Sequence, residues 1–129
     1  MEPKGLQTFK KAERITSKLL IDRLFNGEGS SMVVFPFRVV YIKVPKVEVP
    51  VSILVSVPKK RLHKAVDRNR MKRLTREAYR RQKQILWNAL EQSDSSVAIA
   101  FVYLAPNLCT YEMVCKSMNK ILTRIANVA

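Results

Sequence analysis

The segment spanning residues 59–83 combines dense positive charge with the apolar pattern of a helix. It contains 12 of the chain's 24 lysines and arginines but only two acids, Asp67 and Glu77. Through and beyond it, apolar residues recur at helical spacing on one narrow stripe, formed by Met71, Leu74, Ala78, Ile85 and Ala89. A second stripe is cationic and consists of Arg68, Lys72, Arg76 and Lys83, with Arg73 and Arg80 beside it. The pattern predicts a helix that packs one face on a core and presents a self-repelling cationic face, for which an anionic partner is the natural explanation.

The composition of the whole chain favours the same kind of partner. The net charge is +14 on 129 residues and the sequence pI is near 10.3, which indicates a nucleic acid or an anionic membrane surface. Hydrophobic residues make up 47% of the chain, enough for a core, and the length suits a single domain over residues 1–129. No apolar run approaches the roughly 20 residues that cross a bilayer, and the N-terminus lacks the apolar segment of a signal peptide. We therefore expect a cytoplasmic protein without a membrane partner.

Apolar periodicity and turn residues predict six regular elements after a flexible basic arm at residues 1–15. In chain order they are a helix at 16–25, strands at 32–44 and 51–57, a helix at 65–91, a strand at 97–105 and a helix from about 110. The first two strands are expected to form an antiparallel hairpin, and the third is apolar enough to be buried. The sequence therefore predicts a single α+β domain of order αββαβα, with one small sheet packed against helices.

The sequence offers few residues for covalent chemistry. His63 is the only histidine and lies in the basic turn, the ten acids form no paired motif, and the three glycines form no phosphate-binding loop. Cys109 and Cys115 lack a second pair that would complete a zinc site. A reduced structural pair is the preferred interpretation of these cysteines, and a regulatory disulfide is the alternative. We expect no catalytic residue and no metal site in the chain itself.

Two further sets of residues have both a structural and a functional interpretation. Asn69 lies between two arginines and is suited to read a base edge or a 2′-hydroxyl, or else to cap or bond to the backbone in the first turn of the helix. Three aromatics share one face of the first strand by parity, namely Phe35, Phe37 and Tyr41, and Phe25 ends the first helix. Core packing is preferred for these aromatics, most strongly for Phe37, and a stacking platform for unpaired bases is the alternative.

The basic segment also carries a specific motif. It reads Lys59-Lys60, then Ala-Val-Asp-Arg-Asn-Arg-Met-Lys-Arg at 65–73, then Arg76-Glu77. This order resembles the signature of the bacterial ribonuclease P protein component family, and the similarity extends over nearly the whole chain. The resemblance implies an α+β fold with a left-handed βαβ crossover from the second strand through the basic helix to the third. It overrides the general rule that such crossovers are right-handed.

The resemblance further implies a role in tRNA processing. Proteins of this family pair with a catalytic RNA that removes the 5′ leader from precursor tRNA, and the RNA supplies the active site and its Mg²⁺ ions. The family's RNA-contacting positions match Lys59, Lys60, Arg68, Asn69, Arg70, Lys72, Arg73 and Arg76. Its leader-binding cleft matches Ile21 and Phe25 and, by strand register, Val40. No protein-held metal and no obligate protein partner is implied.

The turn before the basic helix is one of the places where the sequence departs from the family pattern, and two other functions stay open as alternatives. Four residues, 61–64, separate the lysine pair from Ala65, where three including a glycine are expected. A non-catalytic RNA-binding protein of ribosomal type would have the same basic helix. A DNA-binding helix is less favoured, because two strands rather than a helix precede it.

Overall fold

A computed structural model describes residues 11–128, and the α+β class predicted from the sequence is confirmed. After a 3₁₀ turn at Lys11–Glu13, the elements are α1 (Lys18–Phe25), β1 (Ser30–Val34), β2 (Phe37–Pro45), β3 (Val51–Ser56), α2 (Ala65–Gln82), α3 (Gln84–Ala89), β4 (Ser95–Tyr103) and α4 (Tyr111–Val128). The single helix predicted at 65–91 is therefore α2 and α3. Lys83 separates them, although its backbone keeps right-handed helical dihedral angles.

The four strands form one mixed sheet in the order β1-β2-β4-β3. β1 pairs with β2, and β2 pairs with β4, in antiparallel orientation. β3 and β4 are parallel neighbours, so the connection between them, which contains α2 and α3, is a crossover.

The predicted antiparallel hairpin of strands 32–44 and 51–57 is wrong. The first run is two strands, because the chain reverses at Phe35–Pro36 and β1 pairs with β2. β3 is separated from β2 because β4 lies between them. The burial pattern explains this order: β4 is almost continuously buried, which suits a central strand covered on both faces, whereas β3 alternates buried and half-buried residues.

The sheet is covered on both faces, but to different extents. One face packs against α2, α3 and α4, and its buried strand residues include Phe37, Val39, Ile53, Ile99 and Phe101. The other face, which we call the α1 face, has a smaller buried cluster, formed by Ile15, Leu24, Val40, Ile42, Ala98 and Ala100. The first face therefore supplies most of the core, and the α1 face is covered only where α1 lies on it.

The three aromatics of the first predicted strand differ in how deeply they are buried. Phe37 is fully buried, and its ring packs edge-on against Phe101 at 5.9 Å between centroids, so the core prediction for Phe37 is confirmed. Phe35 is 59% exposed because it lies in the reversal between β1 and β2 rather than within a continuous strand. Tyr41 is half-buried.

Residues 11–15 lie along the outer edge of β3. The amide of Ile15 donates to the carbonyl of Ile53 at 2.9 Å, Arg14 forms a parallel bridge with Ile53, and the side chain of Ile15 is buried. The predicted flexible arm therefore does not include residues 11–15, and residues 1–10 lie outside the described part of the chain. The prediction missed this contact because five residues are too few to show a strand period.

The ends of α1 follow its sequence. Ser17 Oγ accepts a hydrogen bond from the amide of Leu20 at 3.3 Å, which caps the helix. Asn26 and Gly27 end it, and Gly27 has φ +93°, a conformation that glycine adopts without a steric penalty.

No helix among residues 11–128 is long and apolar enough to cross a membrane. Cys109 and Cys115 are free thiols, and the Tyr103 hydroxyl donates to Cys109 Sγ at 3.3 Å.

Candidate nucleic-acid interface

α2 has a buried face and a cationic outer face, as its sequence predicts. Its buried residues are Met71, Thr75, Ala78 and Tyr79. Between Arg70 and Arg76 it presents basic side chains that are exposed or half-buried; we call them the outer cations, and they are Arg70, Lys72, Arg73 and Arg76. Among residues 11–128, no carboxylate lies within 4.0 Å of any outer cation. Their charge is therefore available to an anionic partner.

Arg76 is the last of the outer cations in the chain and is half-buried. Burial and the positive charge of Arg14 lower the pKa of Arg76 from its ordinary value. A guanidinium remains protonated in spite of such a shift, so Arg76 keeps its positive charge.

Arg68 has a structural role that the sequence did not reveal. Its Nη1 donates to the carbonyls of Leu62 and His63, at 3.0 and 2.8 Å. The amides of Arg61 and Leu62 both donate to the carbonyl of Pro58 at the start of the same turn. Arg68 therefore holds the turn at 59–64 against the first turns of α2. The expectation that Arg68 simply faces solvent is wrong, because the guanidinium is half-buried and bonded to the backbone.

The turn that Arg68 holds carries the lysine pair. Lys59 and Lys60 are both exposed, just before α2 begins at Ala65. Asn69 is also exposed, and Lys64 rather than Asn69 occupies the N-cap position. The capping alternative for Asn69 is therefore wrong, and its amide faces solvent among the outer cations.

The last turn of α2 has its two cations bound to one acid, Glu77. Arg80 donates to both carboxylate oxygens of Glu77, at 2.9 and 2.6 Å, and Arg81 donates to Oε2 at 3.0 Å. The hydrogen bonds from Arg80 and then Arg81 lower the pKa of Glu77 to about 2. The Glu77 bonds in turn raise the pKa of Arg80. These two arginines are therefore partly neutralised within their own helix.

Lys83 is buried, so its predicted place on the solvent-exposed cationic stripe is wrong. Its Nζ lies 2.9 Å from Glu13 Oε1, and the side chains of both residues are 1% exposed. Nζ is also 4.4 Å from the centroid of the Trp87 ring, and Trp87 Nε1 donates to the Tyr79 hydroxyl at 2.9 Å. Burial raises the pKa of Tyr79. The far end of α2 is thus a packed junction rather than an open basic surface.

The three residues matched to the leader-binding cleft lie together on the α1 face but differ in exposure. Phe25 is 45% exposed at the end of α1, and Ile21 is half-buried against the small cluster of that face. Val40 is only 4% exposed, because Leu24 and the rest of that cluster cover it. The assignment of Val40 to the leader-binding cleft stays a prediction, and its side chain lies within the buried cluster of the α1 face.

The α1 face also contains a row of accessible residues that the sequence-based hypotheses missed. Strand pairing aligns Val33, Arg38, Val102 and Ser56 across all four strands. By strand alternation they share the face of Val40, and all are exposed or half-buried. Arg38 places a positive charge in this row. The parity of Arg38 with Val40 was visible in the sequence, but the extent of α1 over the sheet was not.

A basic helix on a rigid α+β scaffold, together with an open sheet face that carries an arginine, defines a nucleic-acid-binding protein. A sequence model of the ribonuclease P family, described as Ribonuclease P, matches residues 9–126. The chain belongs to the ribonuclease P family.

Relatives agree with this assignment, and solved structures have the same fold. Ribonuclease P protein component of Porphyromonas gingivalis strain W83 is 44% identical over 117 residues, which cover 90% of this chain and 85% of the relative. The component of Chlorobaculum tepidum is 37% identical over 113 residues, covering 81% and 73%. The RNase P protein of Staphylococcus aureus has the same fold with a TM-score of 0.67 at 24% identity, over 92% of this chain and 98% of that one. The protein from Thermotoga maritima gives 0.66 at 23% identity, over 87% and 96%.

Proposed function

We propose that the outer cations of α2, with Lys59, Lys60 and Asn69, bind the catalytic RNA of ribonuclease P, in which this chain is the protein subunit. The observation that carries the proposal is the row of outer cations, which have no carboxylate neighbours among residues 11–128. Arginine forks bind phosphate in a bidentate manner, and the helix fixes their spacing before the RNA arrives. The release of counterions from the RNA then drives association.

The second surface in the proposal is the open part of the α1 face, which binds the 5′ leader of precursor tRNA. Phe25 supports this assignment because an exposed aromatic at the rim is able to stack on an unpaired base. Arg38 supports it because its charge lies on the floor of the same face, within reach of the leader backbone. Ile21 lines the α1 side of this surface, whereas Val40 supports it from below.

The chemical step belongs to the RNA in this proposal. Among residues 11–128, no three residues of the types His, Cys, Asp and Glu lie close enough together to hold a metal ion. We therefore assign the Mg²⁺ ions to the RNA, and no step of the mechanism passes through a metal held by this chain. The protein contributes by screening the repulsion between the phosphates of the catalytic RNA and those of its substrate.

Reconstitution with the catalytic RNA and a precursor tRNA tests the overall function. The purified chain should cleave nothing alone and should accelerate cleavage by the RNA, most strongly at low magnesium, because high magnesium performs part of the same screening. Robust cleavage by the chain with RNA excluded would overturn the assignment of chemistry. Binding without acceleration would instead favour the ribosomal-type alternative.

The adjacent residues Phe25 and Leu24 provide a matched test of the leader surface. Phe25→Ala should weaken binding of precursor tRNA by roughly 1–3 kcal/mol, leave binding of mature tRNA nearly unchanged, and change the melting temperature little. Leu24→Ala should instead lower the melting temperature and leave discrimination between the two tRNAs intact. Leu24 is 1% exposed, and its truncation costs about 2–5 kcal/mol of folding stability. If Phe25→Ala lowers the melting temperature as Leu24→Ala does and discrimination between the two tRNAs survives, the leader surface is misassigned.

A further inference from the structure

The outer face of α4 carries a second row of exposed basic side chains. We call them the α4 cations, and they are Lys116, Lys120 and Arg124. Their spacing of four residues places them on one stripe, with about 6 Å of helix rise between neighbours. Among residues 11–128, no carboxylate lies within 4.0 Å of any of the three. Their charge is therefore not neutralised within the described chain, and neither RNA surface proposed above includes it.

α4 lies along β1, the strand at one edge of the sheet. The Ser117 hydroxyl donates to the carbonyl of Phe35, just after β1 ends, and Val128 lines a cavity together with Ser30, where β1 begins. Arg124 follows Ser117 by seven residues, which is about two helical turns, so it lies on the same side of α4. The stripe of α4 cations therefore turns from solvent towards the edge of β1 as it approaches Arg124.

The contact of α4 with α2 lies on the other side of the helix. Gln82 Nε2 of α2 donates to the carbonyl of Cys115 at 2.9 Å. Cys115 and Ser117 are about 200° apart around the helix axis, so the contacts with α2 and with β1 lie on nearly opposite sides. An RNA bound to the outer cations of α2 has to pass around α4 to meet Lys120 and Arg124, whereas a strand that leaves the sheet over β1 meets them directly.

The edge of β1 also bounds the leader surface proposed on the α1 face. The accessible row of that face runs from Ser56 on β3 to Val33 on β1, and Val33 is exposed. Four strands at a separation of about 4.8 Å make this row about 14 Å wide. Phe35, which is also exposed, follows Val33 closely in the chain and contacts α4 through Ser117. A single strand that crosses the row from β3 to β1 therefore reaches α4 next.

We propose that the α4 cations bind the phosphates of the distal, 5′ part of a long leader, after the leader has crossed the α1 face and passed over the edge of β1. The contact is made to the backbone, because the stripe contains charged groups and no aromatic side chain that stacks on a base. The inference rests on the proposed function, since it presumes that the leader lies on the α1 face. The property that this surface detects is then the length of the leader rather than its sequence.

A series of precursor tRNAs with leaders lengthened one nucleotide at a time tests the inference. The half-saturating concentration of reconstituted ribonuclease P in single-turnover cleavage measures the affinity at several salt concentrations. With the unsubstituted chain, affinity should rise further once the leader is long enough to pass β1. A triple variant of the α4 cations, Lys116→Gln, Lys120→Gln and Arg124→Gln, should lose that rise and bind short leaders as before. For long leaders, the magnitude of the salt slope should fall by about two, at about 0.7 per phosphate of a single strand.

A control variant with the same loss of charge shows whether the effect depends on position. It combines Lys46→Gln, Arg80→Gln and Arg81→Gln, which replace cations that already donate to acceptors elsewhere in the fold. It should match the unsubstituted chain at every leader length. An equal loss in both triple variants would mean that only net charge matters, and the inference would fail. It would also fail if the α4 variant weakened binding of mature tRNA or of the catalytic RNA alone to the same extent, because the stripe would then contact another RNA.

The exposure of the α4 cations allows the variant to be tested as a folded protein. Glutamine has a helix propensity close to that of lysine and arginine, so the melting temperature should change little. If the triple variant nevertheless fails to fold, Lys120→Gln alone, in the middle of the stripe, should lower the slope for long leaders by about 0.7. An unchanged slope for a folded Lys120→Gln variant would count against the inference.

Phe25→Ala separates failure of this inference from failure of the proposed leader surface. It should weaken binding of precursors with short and long leaders alike, because Phe25 is exposed on the α1 face, which every leader enters in the proposed function. If Phe25→Ala acts and the α4 variant does not, the leader surface stands and the inference about α4 fails. If neither variant changes the affinity for any precursor, the leader surface fails, and the inference fails with it.

Discussion

The outer cations of α2 differ in their surroundings from the cations at the far end of the basic segment, which are Arg80, Arg81 and, just beyond α2, Lys83. The outer cations have no carboxylate within 4.0 Å among the described residues, and Asp67 has no cation within that distance in the same range. At the far end, Glu77 binds Arg80 and Arg81, and Lys83 is buried against Glu13. The charge available to a polyanion therefore depends more on where the acids lie than on the number of basic residues. The acid lies one helical turn away for Arg80 and Arg81 and in a distant segment for Lys83.

The largest expected difference between the two groups of cations is in folding stability. Lys83→Ala leaves Glu13 buried without the Lys83 ammonium, and a loss of this kind costs about 3–5 kcal/mol. Lys72→Ala truncates a half-exposed side chain of α2 and should cost less than about 0.5 kcal/mol. Urea denaturation of both variants measures the contrast. Similar free energies of unfolding would mean that Lys83 is solvated like Lys72.

The next effect is on RNA affinity, where substitution of the outer cations should matter and substitution of the cations at the far end of α2 should not. Arg70→Ala with Arg73→Ala should lower the salt slope by roughly two, equivalent to about 2.8 kcal/mol over a tenfold change in salt. Arg80→Ala with Arg81→Ala is the matched control and should change it little, because Glu77 already neutralises these residues. Titrations at several salt concentrations decide the matter. Equal slopes for the two double variants would show that the whole helix binds RNA.

A third effect distinguishes Arg68, which is bonded to the backbone, from the outer cation Arg70 in folding stability. Arg68→Ala removes two hydrogen bonds from a charged donor to the turn at 59–64, and bonds of this type contribute about 1.5–3 kcal/mol. We expect a loss of about 2 kcal/mol in unfolding free energy, with faster hydrogen exchange at the amides of Arg61 and Leu62. Arg70→Ala is the control and should change neither quantity. If Arg68→Ala changes neither the unfolding free energy nor the exchange at these amides, Arg68 does not hold the turn, and phosphate contact is its remaining role.

The smallest effect is the pH dependence contributed by Glu77. The pKa of Glu77 is lowered to about 2, so its stabilising contribution is complete above the pKa of an unfolded carboxyl, near 4.3, and is lost as pH falls towards 2. Since the Glu77 side chain is 37% exposed, the contribution should stay below about 1 kcal/mol. The difference in unfolding free energy between the unsubstituted chain and Glu77→Gln should therefore shrink over this interval. A difference that is constant between pH 5 and pH 2 would contradict the ion pairs at the far end of α2.

Elements with a long repeating pattern could be predicted from the sequence. α2 was recognisable because its apolar stripe persists over several turns, and β4 because its apolar run has strand length. The order of strands in the sheet could not be predicted, because a strand's composition records how deeply it is buried and not which strand lies beside it. The contact of residues 11–15 with β3 was hidden for a similar reason, since Ile53 lies far away in the chain.

The candidate site likewise contains features that could be predicted from the sequence and features that could not. The pairing of Glu77 with Arg80 and Arg81 follows from spacings of three and four residues, and attention to those spacings would have removed Arg80 from the available cations. The burial of Lys83 could not be predicted, because its partner is 70 residues away. Arg38 and Val40 depend on which part of the sheet α1 covers, and a strand pattern alone does not record that.

The central position of β4 also has a consequence for the order in which the chain assembles during its synthesis. β4 begins at Ser95 and pairs with both β2 and β3, so neither strand has its main partner until most of the chain has been made. The β1–β2 hairpin is local and is free to form early, whereas β3 waits through the synthesis of α2 and α3. At about 5–20 residues per second this interval lasts on the order of seconds. The insertion of β4 between two waiting strands is thus the event that completes the sheet, and the nascent chain carries open strand edges until then.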